Sequence, residues 1–497
     1  MKPKALHIRS RFVLFGSFVA AVVLLTLPAC AATTTRKAAL AEGAKASEGF
    51  HPTAAQEAFL DTLEHRTFQW FWDLSDPATG ITPDRAPTRS FASVSATGFA
   101  LTAYPIGVER GWVSRPAARE RVLKTLRFFW TARQDTAGQG ATGYRGFYYH
   151  FLDLDSGVRF GKVELSTIDT ALLLAGALFC QSYFDAPHPD EAAIRGLADS
   201  LYARADWNWA MVRPNLISHG WDPENGFLPY DWGGYNESML VPIMALASPT
   251  HPVSPEVWSK WVSGCRWDHY KGYDHVGFPP LFGHQYSHVW LDLRGVQDSL
   301  MRARGIDWFE NSRRATLSQR AYAIENPGHF RGYGERLWGL TACDGPIDAK
   351  LKLAGVERSF HTYDARGASS RGVNDDGTIA PTAAGGSIAF APEVVMPVLM
   401  AMRDDYGADV FNRYGFVDAL NPTLNDTTRV PQGKVVPGKG WFDSDQLGID
   451  QGPIIAMIEN ARTGLVWRVM RRNPHVVLGL KRAGFTGGWL DAQPEAR

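Results

Sequence analysis

The spacing of the apolar residues is the feature that most constrains how this chain can fold. From Thr53 onward, apolar residues recur every three or four positions, as in AAQEAFLDTLEHRTFQWFWDL and ELSTIDTALLLAGALFCQSYF. This spacing places them on one face of an α-helix. Alternating runs bounded by turn residues, which are typical of β-strands, are few. The pattern predicts an all-α fold of about a dozen helices.

Long connections rich in Gly, Trp, Tyr, His and Asp separate the predicted helices. They run from Gly138 to Phe160, Ser218 to Asn236, Trp267 to His288 and Asn326 to Pro381. Loops of this length in a compact domain usually carry function. The helices could form a bundle, a solenoid or a ring of hairpins. The loops favour the ring, because a toroid can gather its connections around one cleft.

The N-terminal segment has the composition of an export signal. Four basic residues in the first eleven positions precede the apolar run Phe12 to Leu27, which is shorter than the ~20 residues of a membrane-spanning helix. The run ends in LPAC, which resembles a lipobox that would lipidate Cys30. Ordinary cleavage after an Ala-x-Ala-like stretch is the alternative.

These features predict three segments. Residues 1–30 are interpreted as a lipoprotein signal peptide, residues 31–50 as a small, polar, flexible tether, and residues 51–497 as a single domain. We expect an exported, periplasmic protein whose membrane contact is the lipid on Cys30. Ala31 takes the place of the Asp associated with inner-membrane retention, so the outer membrane is the expected location.

Charge and composition restrict the possible partners. Lys plus Arg equals Asp plus Glu at 51 each, so no net field would attract nucleic acid. The chain has 17 Trp, 16 Tyr and 27 Phe. Most such rings fill a core, but rings also stack on the apolar faces of sugars. A neutral partner therefore fits best.

Two acids flank the start of the predicted helix in ELSTIDTALLLAG. Ser166 and Asp169 have the spacing of a capping box, which would explain Asp169 as a capping acid as readily as a catalytic one. Glu164 would lie just outside the helix. It would therefore be free to point into a cleft.

Glu237 closes the loop GFLPYDWGGYNES. The helix dipole stabilises an acid in a first turn by about 0.3–1 kcal/mol, which is the simplest reason for an acid at this position. That reason does not account for Trp221, Tyr230, Trp232 and Tyr235, whose rings would form an apolar wall beside the carboxyl. Such a wall raises a carboxyl pKa, as a general acid requires. We therefore favour a catalytic role.

The remaining candidate residues have simpler explanations. Asp450 in GIDQGP could be an N-cap before Pro453, and Glu393 after Pro392 could be a first-turn acid. His284 and His288 have the spacing of two metal ligands on one helical face, but the HExxH glutamate is missing. We therefore predict hydrogen-bonding histidines, no metal site and no cofactor.

The chemistry that fits acids at helix starts among aromatic loops is glycoside hydrolysis. It needs one protonated carboxyl that donates to the leaving oxygen and one ionised carboxylate that acts as base or nucleophile. Phosphate-binding, dinucleotide-binding and GxSxG motifs are not found in the sequence.

Several long blocks resemble one family. They include FWDLSDPATGITPDR, GFYYHFLDLDSGVR, VELSTIDTALLLAG, GYNESMLVPIMALASPTHPV and GIDQGPIIAMIEN. These blocks, spread from Phe59 to Phe485, are similar to the putative glucoamylase-like domain. That family includes glycoside hydrolase family 144, the bacterial endo-β-1,2-glucanases, and related modules occur in cyclic β-1,2-glucan synthases.

The resemblance implies a fold and an activity. The fold would be an (α/α)6 toroid of six helical hairpins with its cleft at one end. The activity would be inverting cleavage of β-1,2-glucan to sophorooligosaccharides without a metal. The matching motifs assign catalysis to Glu164, Glu237 and Asp450, with Glu237 as the hypothesised proton donor and Glu164 or Asp450 as the base. The candidate substrate-binding residues are Asp169, Trp221, Tyr230, Trp232, Tyr235, His288 and Glu393.

Two alternative functions stay open at this point. One is hydrolysis of α-glucan or of another β-glucan. The other is a surface-tethered lipoprotein that binds glycan without cleaving it.

Overall fold

The computed structural model describes residues 50–492. The predicted signal peptide, Cys30 and residues 31–49 of the predicted tether lie outside the described residues. The α-helices of the described part are α1 Ala54–Leu74, α2 Val94–Glu109, α3 Arg115–Thr131, α4 Thr167–Tyr183, α5 Pro189–Arg204, α6 Trp207–Ala210, α7 Leu240–Ala247, α8 Glu256–Ser263, α9 Tyr286–Trp290, α10 Ser299–Arg304, α11 Trp308–Glu325, α12 Pro381–Gly385, α13 Pro392–Tyr406, α14 Gly448–Arg462, α15 Leu465–Met470, α16 Pro474–Arg482 and α17 Gly488–Asp491. Short 3₁₀ helices span Glu237–Met239, Leu281–His284 and Gly407–Asp409.

Side-chain caps explain where several of these helices begin. Ser93, Ser114, Ser166 and Asp307 each accept a hydrogen bond from a backbone N–H of the following first turn. Such caps satisfy N–H groups that have no partner inside the helix. None of the helices in residues 50–492 has the length and apolarity needed to cross a membrane.

Six helices, α2, α4, α7, α9, α12 and α14, are buried along nearly their whole length. Helix α2 packs against α4, α4 against α7, α12 against α14, and α14 against α2. Hydrogen bonds make the remaining links. Leu240 N of α7 donates to Ser287 Oγ of α9, and Gln285 Nε2 donates to the Ala383 oxygen of α12. We call these six the inner helices.

Longer helices with one exposed face cover the inner ones. Helix α1 packs on α14 and α2, while α5 packs on α3 and α4. One contiguous apolar core extends from Phe59 to Leu490. The apolar periodicity of the sequence therefore predicted the main elements correctly.

The all-α expectation needs a correction, because the long loops contain short antiparallel strands. These are β1 Thr82–Pro83, β2 Arg85–Ala86, β3 Ala92–Ser93, β4 Gly143–Tyr144, β5 Phe147–Tyr149, β6 Phe151–Leu152, β7 Leu165–Ser166, β8 Ile217–Ser218, β9 Gly220–Asp222, β10 Gly226–Phe227, β11 Asp231–Trp232, β12 Trp267–Tyr270, β13 Tyr273–Val276, β14 Ala342–Asp344, β15 Ala349–Leu353, β16 Val356–Phe360, β17 Tyr363–Ala365, β18 Gly367–Ser369, β19 Gly372–Asn374, β20 Phe411–Asn412, β21 Gly415–Phe416, β22 Leu420–Asn421, β23 Lys434–Val436, β24 Gly440–Phe442 and β25 Gln446–Leu447. Strands of two to five residues are too short to show an alternating pattern.

Two of these small sheets position the loops at the helix starts. One has five strands in the order β10-β9-β7-β5-β4, and β7 leads directly into α4. The other pairs β2 with β25, which leads directly into α14. Short strands therefore fix the N-terminal ends of two inner helices.

The contact between α2 and α4 depends on glycine. A Cβ on Gly176 would lie 2.2 Å from the carbonyl oxygen of Gly98. A Cβ on Gly98 would lie 2.4 Å from the carbonyl oxygen of Leu172. Both neighbours are backbone atoms, so any side chain would push the two inner helices apart.

We expect Gly176→Ala to lower the free energy of unfolding by about 1–3 kcal/mol, because the added methyl group overpacks this contact. Chemical denaturation would measure the change. Gly196→Ala is the matched control, because Gly196 lies on the exposed face of α5 with no atom near the position of a Cβ. That control should be neutral or stabilising by up to about 1 kcal/mol. Equal effects of the two substitutions would contradict the prediction.

Candidate active site

Glu164 is held by a histidine that the sequence analysis did not single out. His150 follows β5 and Glu164 precedes β7, and these two strands pair. His150 Nδ1 lies 2.8 Å from Glu164 Oε1, and its Nε2 lies 3.6 Å from Asp169 Oδ2. The side chains of His150 and Glu164 are each 31% exposed. The imidazole therefore lies between two carboxylates at an accessible position.

This arrangement determines the charge of both partners. Burial disfavours a charge on His150, but the negative charges of Asp169 and Glu164 outweigh it and raise the pKa of His150 to about 9. Burial also acts to raise the pKa of Glu164, but the charge and hydrogen bond of His150 lower it below its ordinary value. At neutral pH His150 is thus an imidazolium and Glu164 a carboxylate.

Asp169 lies in the first turn of α4, where the N-cap is Ser166 as the sequence predicted; its catalytic role stays a prediction. Ser166 is the N-cap of α4, and its Oγ accepts a hydrogen bond from the Asp169 backbone N–H at 3.2 Å. The same hydroxyl donates to Asp169 Oδ2 at 2.6 Å. Asp169 is therefore fixed by the cap while it faces His150.

Glu237 begins the 3₁₀ helix that leads into α7, as the sequence predicted. Asn236 caps this turn by accepting from the Ser238 N–H at 2.9 Å. Ser287 Oγ donates to the Glu237 carbonyl oxygen at 2.8 Å. Burial, with the negative charge of Asp169 added, raises the pKa of the Glu237 carboxyl to about 7. Glu237 can therefore keep its proton close to neutral pH.

Asp450 lies in the first turn of α14, where the N-cap is Leu447. The interpretation of Asp450 as an N-cap was therefore wrong. The reason is that β25 runs to Leu447 and the helix begins at the next residue. Burial raises the pKa of Asp450 to about 7; a hydrogen bond with Asp418 opposes this shift, and the charge of Asp344 adds to it.

Shared neighbours place these acids around one region. Asp169 faces His150 and is also close enough to Glu237 to raise its pKa. Tyr286 of α9 is buried, and burial together with the charges of Asp450 and Glu237 raises its pKa. Glu164 is therefore linked to Glu237 through His150 and Asp169, and Glu237 is linked to Asp450 through Tyr286.

A row of aromatic rings leads from His150 to solvent. Phe151 stacks on His150 with 3.9 Å between ring centroids, and Phe91 lies 4.0 Å from Phe151. Phe160 lies 4.9 Å from Phe91 and is 40% exposed. We call these three phenylalanines the Phe row. The sequence analysis missed them, because isolated Phe residues are usually part of a core.

Three of the predicted binding aromatics lie around His219 and β7. Trp232 stacks on His219 at 3.6 Å and donates to Thr167 Oγ1 at 2.8 Å. Tyr230 is 47% exposed and its ring lies 6.0 Å from His219. Trp221, in β9, is paired in register with Leu165, the residue after Glu164.

The other predicted binding residues lie elsewhere. Tyr235 and His288 are buried, and each contacts the hydroxyl of Ser312, at 3.1 and 3.2 Å. Glu393 is in the first turn of α13, where it pairs with Arg313 at 2.7 Å. These positions argue against direct substrate contact by the three residues. The reason is that an apolar ring or a histidine in a loop sequence can equally be packed inward, and only tertiary packing decides.

Comparisons with known proteins identify the family of the chain. The family described as "Putative glucoamylase" matches residues 229–474. A solved structure of a putative glucoamylase from Bacteroides uniformis is 31% identical, with a TM-score of 0.75; the alignment covers 89% of this chain and 100% of that chain. The chain belongs to the putative glucoamylase family. The resemblance stated from the sequence is thereby confirmed.

Two further relatives of this putative glucoamylase domain have named activities. An endo-β-1,2-glucanase from Chitinophaga pinensis, solved with sophorotriose and glucose, is 28% identical with a TM-score of 0.75, and the alignment covers 88% of this chain and 100% of that one. An exo β-1,2-glucooligosaccharide sophorohydrolase from Parabacteroides distasonis is 28% identical over 461 residues, which are 86% of this chain. The chain spans 58% of the length of that relative.

We expect the His150 ring to be doubly protonated at pH 7.5 and to titrate near pH 9. Histidine-labelled NMR would show this, with His219 as an internal comparison, because burial lowers the pKa of His219 to about 4. Glu164→Gln should lower the pKa of His150, since one of its carboxylates is lost. Because the pKa of His150 is raised, its ion pair with Glu164 contributes fully to the free energy of unfolding below pH 6.5. That contribution is lost as pH rises through about 9. A neutral His150 at pH 7.5 would contradict this assignment.

Proposed function

We propose that this protein is a glycoside hydrolase that cleaves β-1,2-glucan to sophorooligosaccharides. The observation that carries the proposal is the contrast between two acids: Glu164 has a histidine partner at 2.8 Å, which lowers its pKa, whereas burial and the charge of Asp169 raise the pKa of Glu237. A pair of carboxyl groups held in different protonation states is what hydrolysis of a glycosidic bond requires.

In this proposal Glu237 is the general acid. Its neutral carboxyl donates a proton to the glycosidic oxygen as the bond to the anomeric carbon breaks. Glu164, kept ionised by His150, accepts a proton from the water whose oxygen attacks the same carbon. The products are two shorter glucans, and the configuration at the anomeric carbon is inverted.

Asp450 is assigned a supporting position. It is 3% exposed and bonded to Asp418, whereas Glu164 is accessible and paired with a cation. Glu164 is assigned as the base because it is ionised at neutral pH and within reach of a water molecule, whereas the raised pKa of Asp450 favours its protonated form. Asp450 would act on the reaction through its charge and through Tyr286.

The proposed substrate rests on the two named relatives. One is called an endo-β-1,2-glucanase and the other an exo β-1,2-glucooligosaccharide sophorohydrolase, so both names specify the same linkage. The site adds a chemical reason, because exposed rings such as Phe160 and Tyr230 can stack on neutral sugars.

We also propose that the inner helices close into the (α/α)6 toroid. The contacts of α2, α4, α7, α9, α12 and α14 support it, because each helix touches the next in chain order and α14 touches α2. Asp169 lies in the first turn of α4, Glu237 begins the turn before α7, and Asp450 lies in the first turn of α14. A crystal structure with an open arc of inner helices would contradict the proposal.

Export and lipid attachment at the outer membrane are proposed from the sequence of residues 1–31. Wild-type protein expressed in its bacterial host should sediment with outer membranes, and Cys30→Ser should release it to the periplasmic fraction. Equal amounts of the wild type and of Cys30→Ser in the periplasmic fraction would exclude lipidation of Cys30.

We expect Glu237→Gln to lower kcat on β-1,2-glucan by about 10²–10⁴-fold, because the amide cannot donate the proton. Glu393→Gln is the matched control, since Glu393 is also a first-turn glutamate but is paired with Arg313. It should keep wild-type turnover. The wild-type rate should fall as pH rises through about 7, where Glu237 loses its proton.

Two results would change these assignments. Wild-type turnover by Glu237→Gln would exclude Glu237 as the acid. A larger loss in Asp450→Asn than in Glu164→Gln would transfer the role of the base to Asp450.

The substrate class can be tested with β-1,2-glucan, laminarin and starch. We expect new reducing ends from β-1,2-glucan alone, with sophorooligosaccharides by mass spectrometry and α-anomers as the first products by NMR. Faster release of reducing ends from starch or laminarin than from β-1,2-glucan would contradict the proposed linkage. Retention on glucan in affinity electrophoresis without shortening of the chains would instead support a binding protein.

A further inference from the structure

Three aspartates from distant segments meet in a buried cluster beside the candidate active site. Asp344 ends β14, Asp418 lies between β21 and β22, and Asp443 follows β24. Each offers a carboxylate oxygen, and these three atoms lie within 4.8 Å of one another. The three residues are 2–3% exposed.

Two of the oxygens in this aspartate cluster accept no hydrogen bond from an N–H or hydroxyl donor. They are Asp418 Oδ1 and Asp443 Oδ2, both fully buried. The second oxygen of each group is occupied. Asp418 Oδ2 accepts from the Asp344 N–H at 2.7 Å, and Asp443 Oδ1 accepts from Gln432 Nε2 at 3.0 Å. The carboxylates are thus anchored on one side and unsatisfied on the other, which is costly for a buried charge.

Protein cations do not balance this cluster. Arg85 contacts Asp344 at 2.5 Å, but the same guanidinium also pairs with Asp84 at 3.2 Å and Asp445 at 3.8 Å. Among residues 50–492, no ion pair reaches Asp418 or Asp443. One positive charge is therefore shared among three carboxylates, and two more carboxylates have none.

We propose that Asp344, Asp418 and Asp443 bind a calcium ion. Unpaired carboxylate oxygens are the ligands that Ca²⁺ prefers, at about 2.3–2.6 Å. Two such ligands on opposite sides of the ion are about 4.6–5.2 Å apart and angled ligands are closer, so three oxygens within 4.8 Å of one another can reach one ion. Mg²⁺ gives up its waters reluctantly and is rarely held by protein ligands alone, so a buried site of protein carboxylates favours Ca²⁺.

The ion would have a structural role in this assignment. It would join the loop at β14 to the segment between β21 and β24, and these segments are about 75–100 residues apart in the sequence. Asp418 also shares a hydrogen bond with Asp450, so an ion bound to Asp418 would help to fix the position of the Asp450 carboxyl. The proposal stands on the geometry of the three aspartates and does not require the proposed glucanase activity.

No metal site was predicted from the sequence, because metal motifs are recognised by ligands close together in the chain. Asp344, Asp418 and Asp443 share no local motif and are brought together only by the folded loops. A shared proton among the carboxylates is the competing way to reduce their charge. Binding measurements at pH 7.5 distinguish the two.

The test uses the full chain after removal of metal with EDTA and gel filtration. Calorimetric titration with CaCl₂ should show one site per chain, and 1 mM CaCl₂ should raise Tm by at least about 2 °C. No binding heat together with no change in Tm would overturn the proposal. An equal or larger shift with MgCl₂ would overturn the assignment to calcium.

A matched pair of variants locates the ion. Asp443→Asn should weaken calcium binding at least tenfold, because a neutral amide replaces one ligand charge. Asp426→Asn removes the same charge from an exposed turn nearby and should bind calcium as the wild type does. Wild-type affinity in Asp443→Asn would show that the ion binds elsewhere. If Asp443→Asn does not fold, metal analysis of untreated wild-type protein decides, and less than about 0.2 calcium per chain overturns the proposal.

Discussion

The packing of the inner helices is the constraint on which the candidate site depends. Helices α2 and α4 approach so closely that Gly98 and Gly176 have no room for a side chain. This contact fixes the start of α4, where Ser166 and Asp169 lie. The turn before α7 and the first turn of α14 are fixed in the same way by buried neighbours. Acids that are far apart in the sequence can therefore face a shared region with defined positions.

Partners, not residue type, separate the acids chemically. Glu164 and Glu237 are both glutamates a few residues before an inner helix, yet one has a lowered pKa and the other a raised one. The difference comes from His150, whose positive charge contacts Glu164, while Glu237 has burial and a neighbouring Asp169. Such divergence of pKa values is how two carboxyl groups acquire an acid and a base role.

Buried negative charge is the second theme of this molecule. The charge of Asp169 is compensated by the cap of α4 and by His150, and the charge of Asp344 is compensated by Arg85. In the described part of the chain, Asp418 and Asp443 have neither a helix cap nor an ion pair, and Asp418 lies next to Asp450. A bound calcium ion would complete this compensation, and it would make the rigidity of one wall of the site dependent on metal as well as on packing.

Local patterns in the sequence predicted the features that depend on neighbouring residues. The helical spacing, the cap of α4 at Ser166 and the turn that begins at Glu237 follow from side chains within a few positions of one another. The family resemblance, carried by whole blocks of sequence, correctly indicated the relatives.

The errors and omissions share one cause. The inward orientation of Tyr235 and His288, the strand that places Asp450 inside a helix, and the pairing of His150 with Glu164 all depend on segments distant in the chain. The sequence alone thus determined the main helices and the starts of α4 and of the turn before α7, because caps and periodicity act locally. Only the tertiary structure decided the charge of each acid and the residues that surround the buried aspartates. The reason is that the electrostatic partners of these groups come from segments distant in the sequence.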